Sequence, residues 1–353
     1  MTNKATYLPE KKTILQKIQL KVFALFRLHN GSTIKLYKGF ANDKSCAIYG
    51  HAFSLSPIKK KHFRKFFLYN AMALLRLFMV KPIKGATVTL QWNDKIYTAL
   101  TASDGFFKFE WDHHETLAAG QYEVEVILIK RGTTNIIKSK TTSHIIVPSA
   151  TSFSFISDID DTFLISHSSN LRKRLFVLLT ENARSRKPFE GVVEHYRLLH
   201  DLDEESPASN AFFYVSSSEW NLYDYIKDFL QEHRLPDGVC LLNQVKTLSK
   251  LLSTGQNNHA GKFTRIVKII EAYPHQKFVL LGDDSQEDID IYTSIVEHFP
   301  HNVYCVYIRR VSTPEKENVL LKQKLIEENN VLFCYFAHSE DAIIHSKKIG
   351  LIR

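Results

Sequence analysis

The pattern of hydrophobic and polar residues changes near position 150. Before it, short β-branched and aromatic runs alternate with polar residues: ATVTLQW (86–92), KIYTALTA (95–102), FFKFEW (106–111) and YEVEVILI (122–129). The turn pairs Asn93-Asp94 and Asp104-Gly105 separate them. Alternation with a period of two, bounded by turn residues, predicts strands with one buried face. Several such strands in about 100 residues predict a smaller antiparallel β-sandwich domain over 1–150.

From about residue 151 to 353 the apolar runs are continuous rather than alternating: FSFI (153–156), AFFYV (211–215), FVLL (278–281) and VYCVYI (303–308). Between them lie amphipathic segments with helical period at 189–202, 219–234, 262–273 and 286–299. Strands that are apolar on both faces, alternating with helices, predict a doubly wound α/β domain around a parallel sheet. In such a sheet ligands gather beyond the carboxyl ends of the strands.

One stretch departs from both patterns. Residues 59–84 carry eight Lys or Arg and no acid, among Phe63, Phe66, Phe67, Leu74, Leu75, Leu77 and Phe78. The spacing predicts a basic amphipathic helix near 59–81, inserted into the sandwich and ended by Pro82. It either packs on its own sandwich or lies on an anionic membrane surface.

The charge balance narrows the partners. A formal net charge of +9 favours anions, whether phosphate esters, nucleic acid or acidic lipid. The four cysteines form no CxxC pair, which argues against a zinc site or disulfide framework and suits a reducing compartment. Residues 17–28 are apolar but carry Lys17, Lys21 and Arg27, without a leader's cleavage site, and the apolar run 66–80 is too short to span a bilayer. The expected location is cytoplasmic, with peripheral attachment to the inner face of a membrane as a further option.

Polar groups suited to phosphoryl transfer follow these strands. After FSFI comes Ser157-Asp158-Ile159-Asp160-Asp161-Thr162, a DxDxT arrangement. Asp158 is placed to attack phosphorus, and Asp160 to protonate the leaving alkoxide and later deprotonate water. An anionic nucleophile approaching an anionic ester calls for a cation, and clustered carboxylates suit Mg²⁺. Ser216, after AFFYV, offers a hydroxyl to a phosphoryl oxygen. Lys262, at the start of a helix, offers charge to the transition state. After FVLL, Gly282 permits a turn that delivers Asp283 to the metal. Asp288 either binds that metal directly or holds its waters. The metal set is thus Asp158, Asp160, Asp283 and Asp288. Each piece alone is common in turns, caps or solvated helix starts; their order, with each acidic or hydroxyl group directly after an apolar strand, carries the reading.

That order resembles the motifs of the haloacid dehalogenase superfamily. The chain is more closely similar to the phosphatidate phosphatase family named for a yeast actin-patch protein. The resembling text is SDIDDT (157–162), TENARSRKPFEGV (180–192), FFYVSSSEWNLYDYI (212–226), HAGKFTRIVKII (259–270) and FVLLGDDSQEDIDIY (278–292). The last stands where family members commonly read GDSGQxDPEIY. The resemblance implies a haloacid-dehalogenase-like fold with Asp158 as nucleophile, Asp160 as acid/base, Ser216 and Lys262 as phosphate ligands and Asp283 as metal ligand. It implies phosphatidate or a related lipid phosphate as substrate.

The segment 171–187 is rich in base, with Arg172, Lys173, Arg174, Arg184, Arg186 and Lys187. It reads either as a solvated helix face or as an anion-collecting rim. Two other functions stay open: a phosphatase for a nucleic-acid end or phosphoprotein, and a catalytically silent lipid-binding module. No nucleic-acid-binding motif or stacking platform is found, so nucleic acid is not an expected partner. A binding-only site has no need of Asp160.

Overall fold

In the computed structural model, which describes residues 21, 23–58, 75–114, 116–130, 136–149, 153–160, 162–163, 188–201, 210–247, 259–284, 288–311 and 316–352, the two sequence patterns become two sheets. The first contains β1 (Leu28–Leu36), β2 (Gly39–Ala41), β3 (Ser45–Pro57), β4 (Lys81–Pro82), β5 (Thr87–Trp92), β6 (Lys95–Leu100), β7 (Phe106–Asp112), β8 (Gly120–Lys130) and β9 (Ile136–Val147). These nine strands form one hydrogen-bonded network in the order β1-β3-β2-β9-β8-β5-β6, with β4 and β7 on the other edge of β3. The expected antiparallel sheet is mixed, because β2 runs parallel to β9 through Gly39 and Phe40.

The long strand β3 shows why pattern reading missed β1 to β3. Its Cys46, Ile48 and Ala52 point into the interior of the first sheet, beside Val88, Phe107 and Val126. Its Ala47, Tyr49 and Phe53 point the opposite way, into the core of the second half. A strand buried on both faces has no alternation to read.

The second sheet is parallel: β10 (Phe153–Ser157), β11 (Ala211–Glu219), β12 (Gly238–Asn243), β13 (Lys277–Asp283), β14 (Val303–Arg309) and β15 (Leu332–Phe336). Its order is β12-β11-β10-β13-β14-β15. The chain therefore steps outward from β10 in one direction, returns, and steps outward in the other. That reversal opens a crevice at the carboxyl end of β10. Among the described residues of this half, the α-helices are α1 (Val192–His200), α2 (Tyr223–Glu232), α3 (His259–Ala272), α4 (Asp288–His298), α5 (Lys316–Glu328) and α6 (Ser339–Lys348). α1 contacts α6, while α3, α4 and α5 lie in a row. Sequence reading found four of the six strands and missed β12 and β15.

The two sheets share one core. Tyr37 stacks on Trp220 with centroids 3.9 Å apart, and Phe40 meets Phe213 and Tyr273 edge-on or tilted. Around these rings Tyr273 donates to the Ala41 carbonyl at 2.8 Å, and Lys38 pairs with Asp237.

Of the expected basic helix, residues 59–74 lie outside the described residues. The described end differs from expectation: a 3-10 turn (Arg76–Phe78) closes at Met79, and Lys81–Pro82 are strand, paired with Phe53 and Leu55 of β3. Pairing to β3 extends the chain there, so helix does not reach 81. The segment 171–187 also lies outside the described residues. Among the described residues, no helix is long and apolar enough to cross a membrane. All four cysteines are buried thiols, none in a disulfide.

Candidate active site

Strand register brings the site together. Ser157 of β10 is level with Leu281 of β13 and Tyr214 of β11. Asp158 follows directly, and its N–H donates to the Leu281 carbonyl at 2.9 Å. Asp283 lies two residues beyond Leu281, and Ser216 two residues beyond Tyr214. Neighbouring strands are about 4.8 Å apart, so Asp158 stands between the other two at the same sheet edge.

Helix starts supply the rest. Lys262, in the first turn of α3, donates to Asp158 Oδ1 at 2.7 Å and also to Asp288 Oδ1. Asp288 is the first residue of α4, and its Oδ2 accepts the Asp283 N–H at 3.3 Å. This approach needs glycine at 282, since a Cβ there would lie 2.7 Å from Asp288 Oδ2 and 2.7 Å from Tyr292 Cε2. Asp158, Asp283, Asp288 and Lys262 are all buried.

The electrostatics of this cluster show what it fits. Burial raises the pKa of Asp158 above the usual carboxylate range; Lys262 opposes this, while Asp288, Asp283 and Asp160 add to it. Burial lowers that of Lys262, but Asp158 and Asp288 outweigh it and raise it overall. Three carboxylates, their ligand oxygens all within 4.8 Å of one another, face one ammonium. The cluster is short of positive charge and offers only hard oxygen donors, which suits a divalent cation of the Mg²⁺ or Ca²⁺ class.

Asp160 is set apart from that group. Its Oδ2 accepts from Ser218 Oγ at 2.7 Å and from Ser216 Oγ at 3.4 Å, and its carboxylate is not one of the three clustered groups. The side chain expected both as acid/base and as metal ligand is therefore placed by hydroxyls. Ser216 also accepts the Ser218 N–H at 2.9 Å.

Several contributors were not singled out from sequence. Thr162 Oγ1 donates to Asp283 Oδ2 at 3.1 Å and lies 3.4 Å from Asp158 Oδ2, bridging the two. Ser218 shares a strand face with Ser216, a relation that period two makes legible. Arg265, one turn beyond Lys262, donates to the Ser216 carbonyl at 3.2 Å. Asp284 is structural: it accepts from the Val311 N–H at 2.9 Å and the Tyr335 hydroxyl at 2.7 Å.

Over 178 residues the chain is 27% identical to Phosphatidate phosphatase APP1 of Saccharomyces cerevisiae, covering 50% of this chain and 29% of that protein. Over 198 residues it is 22% identical to an uncharacterized protein of Schizosaccharomyces pombe, covering 56% of this chain and 31% of that one. The match thus spans less than a third of either relative. Among solved structures, a carbohydrate acetylesterase from Xanthomonas citri aligns over 81% of this chain and 71% of its own at 9% identity, with a TM-score of 0.26, too distant to bear on the fold. Residues 153–310, which hold Asp158, Asp160, Ser216, Lys262, Asp283 and Asp288, match the family described as Phosphatidate phosphatase APP1, catalytic domain, and over that stretch the chain resembles this family.

Proposed function

We propose that the protein is a Mg²⁺-dependent phosphatase that hydrolyses a phosphomonoester through an aspartyl phosphate on Asp158. The observation that carries this reading is the buried convergence of Asp158, Lys262, Asp283 and Asp288 beside a hydroxyl-held Asp160. The parallel sheet is read as a haloacid-dehalogenase-like, doubly wound domain over 151–353. The mixed sheet is read as a smaller, sandwich-like domain over 1–150.

Asp158 Oδ attacks phosphorus while the leaving alkoxide takes a proton from Asp160. Ser218 and Ser216 hold that carboxyl in place. In the second step Asp160 takes the proton of the water that cleaves the acyl phosphate. Lys262 keeps Asp158 oriented and meets the charge that develops on the phosphoryl oxygens. Asp158, Asp283 and Asp288 would hold Mg²⁺, which supplies charge neutralisation for the anionic ester.

Phosphatidate, giving diacylglycerol, or a related lipid phosphate is the proposed substrate, on the similarity to the yeast enzyme over residues 153–310. A cytoplasmic protein attached peripherally to an anionic membrane is the proposed setting. The test is phosphate release from a panel of lipid, nucleotide and protein phosphates, with chelator and with Mg²⁺ added back. Mg²⁺-dependent release from lipid phosphate is expected. Full activity in chelator, with residual metal measured and absent, would sink the metal reading.

A further inference from the structure

Arg309 ends β14 as a buried cation for which the proposed chemistry has no use. Burial lowers its guanidinium pKa to about 10, against the opposing pull of Tyr196, Asp283 and Glu340, so it is charged at neutral pH. It is held between two rings, with the guanidinium carbon 4.7 Å from the centroid of Phe189 and 4.8 Å from that of Phe336. Among the described residues its hydrogen bonds go to neutral oxygens: Nε donates to the Thr162 carbonyl and Nη2 to Ser339 Oγ, each at 2.9 Å. Removing a guanidinium from water costs several kcal/mol, and two neutral acceptors offset only part of that.

The location of the first bond is informative. Thr162 closes the loop that begins with Asp158. At one end the Asp158 N–H is fixed to the Leu281 carbonyl at 2.9 Å; at the other the Thr162 carbonyl is fixed by Arg309. Between these points lie the proposed nucleophile, buried Ile159 and the proposed acid/base. Through its hydroxyl, Thr162 also touches both Asp158 and Asp283. Arg309 is itself level with Asp283 across the β13–β14 pairing, so it refers the loop to the strand that carries the neighbouring carboxylate.

The same side chain is braced from behind. Ser339 Oγ, which accepts from Arg309, donates to the Glu190 carbonyl at 2.6 Å. Next to it, Gly191 has φ 71°, and a Cβ at 191 would lie 2.9 Å from Ser339 Cβ. Phe189, whose ring covers the guanidinium, donates its N–H to the Phe163 carbonyl at 3.2 Å. The chain thus leaves the nucleophile loop at Phe163 and returns at Phe189 beside one buried cation.

We infer that Arg309 is a positioning residue for the phosphatase reaction, holding the Asp158–Thr162 loop in register with Asp283 through the Thr162 carbonyl. This rests on the phosphatase reading above. It acts through the loop and touches no reacting atom.

The experiment compares wild type, Arg309→Lys and Arg309→Met, each first shown to be folded by near-ultraviolet circular dichroism. Two quantities are read: kcat and KM on p-nitrophenyl phosphate, and hydrogen exchange by mass spectrometry. Arg309→Met is expected to lower kcat about 10- to 100-fold with KM within about threefold, the signature of a displaced nucleophile. Exchange should accelerate in peptides covering 157–163 and stay unchanged in β12 and α3. Arg309→Lys, which keeps the charge and can reach one acceptor, should recover part of both.

The proposal is overturned if Arg309→Met keeps kcat within twofold of wild type. It is equally overturned if exchange rises throughout the sheet, because Arg309 is then a general fold residue. Should Arg309→Met not fold, Arg309→Lys decides: a several-fold fall in kcat with faster exchange confined to 157–163 supports positioning, and wild-type values refute it. A wild type without phosphatase activity would refute the functional reading and leave the exchange measurement to judge Arg309.

Discussion

Lys262 Nζ lies 2.7 Å from Asp158 Oδ1, and both side chains are sealed from solvent. The same ammonium also pairs with Asp288, so one cation balances two carboxylates while Asp283 adds a third. Lys262→Met should therefore leave buried carboxylates uncompensated and cost about 3–5 kcal/mol of stability. Asp158→Asn in the same background should recover part of that loss. Denaturant melts of the single and double variants check this; strictly additive losses would mean the pair is not coupled.

Asp158→Asn should abolish turnover and leave the fold intact, since an amide cannot attack phosphorus. Asp160→Asn should lower kcat about 10²- to 10⁴-fold. Ser218→Ala, removing the 2.7 Å bond that holds Asp160, should have a smaller effect in the same direction. Steady-state kinetics on one soluble ester ranks the three. More than a few per cent activity in Asp158→Asn would rule out the aspartyl phosphate.

The Tyr37–Trp220 stack joins the two sheets two residues after Ser218. Tyr37→Ala should cost about 3–5 kcal/mol, as for other buried aromatic truncations, and the whole chain should unfold in one transition. A fragment of residues 151–353 exposes Phe213, Trp220 and Tyr273 and should aggregate. A soluble, well-folded fragment with wild-type kcat would show the shared core to be dispensable.

Burial lowers the imidazole pKa of both His51 and His195 to about 3. Above about pH 6.5 each is neutral whether folded or unfolded and adds no pH dependence. Below it the unfolded chain binds protons that the folded chain refuses, so stability falls with acidification down to about pH 3. The slope is about 1.4 kcal/mol per pH unit for each histidine. Denaturant melts from pH 7 to 4 should show His51→Gln and His195→Gln each with a shallower slope than wild type. Equal slopes would mean the imidazoles are not buried in the folded chain.

The cluster Lys59, Lys60, Lys61, Arg64 and Lys65 should draw the protein to acidic vesicles, at about 1 kcal/mol per residue near the surface. Changing all five to Gln should weaken sedimentation with vesicles and lower activity on lipid in bilayers. Activity on a soluble ester should not change. Binding that is insensitive to both salt and these changes would assign the cluster to packing instead.

Much of the second half was legible in the sequence. Continuous apolar runs leading into Asp158, Ser216 and Asp283, with Lys262 in the first turn of a helix, specify both a parallel sheet and the edge where these polar groups gather, although β11 continues past Ser216 to Glu219. They do so because each parallel strand delivers its next residue to the same edge. Gly282 before Asp283 was readable as a turn for the same local reason.

What sequence left open depends on contacts between distant segments. Asp160 turns to the serine hydroxyls and Asp288 to Lys262 because residues 56 to 58 or 26 positions away in the chain arrive beside them. The strand β3 carries no alternating pattern because both of its faces are buried, one by its own sheet and the other by the parallel-sheet half. Arg309 reads as an ordinary basic residue after an apolar run. Its role emerges only when tertiary packing buries the guanidinium between Phe189 and Phe336 and points its Nε at a carbonyl 147 residues away, for burial and directed hydrogen bonds are properties of the folded arrangement.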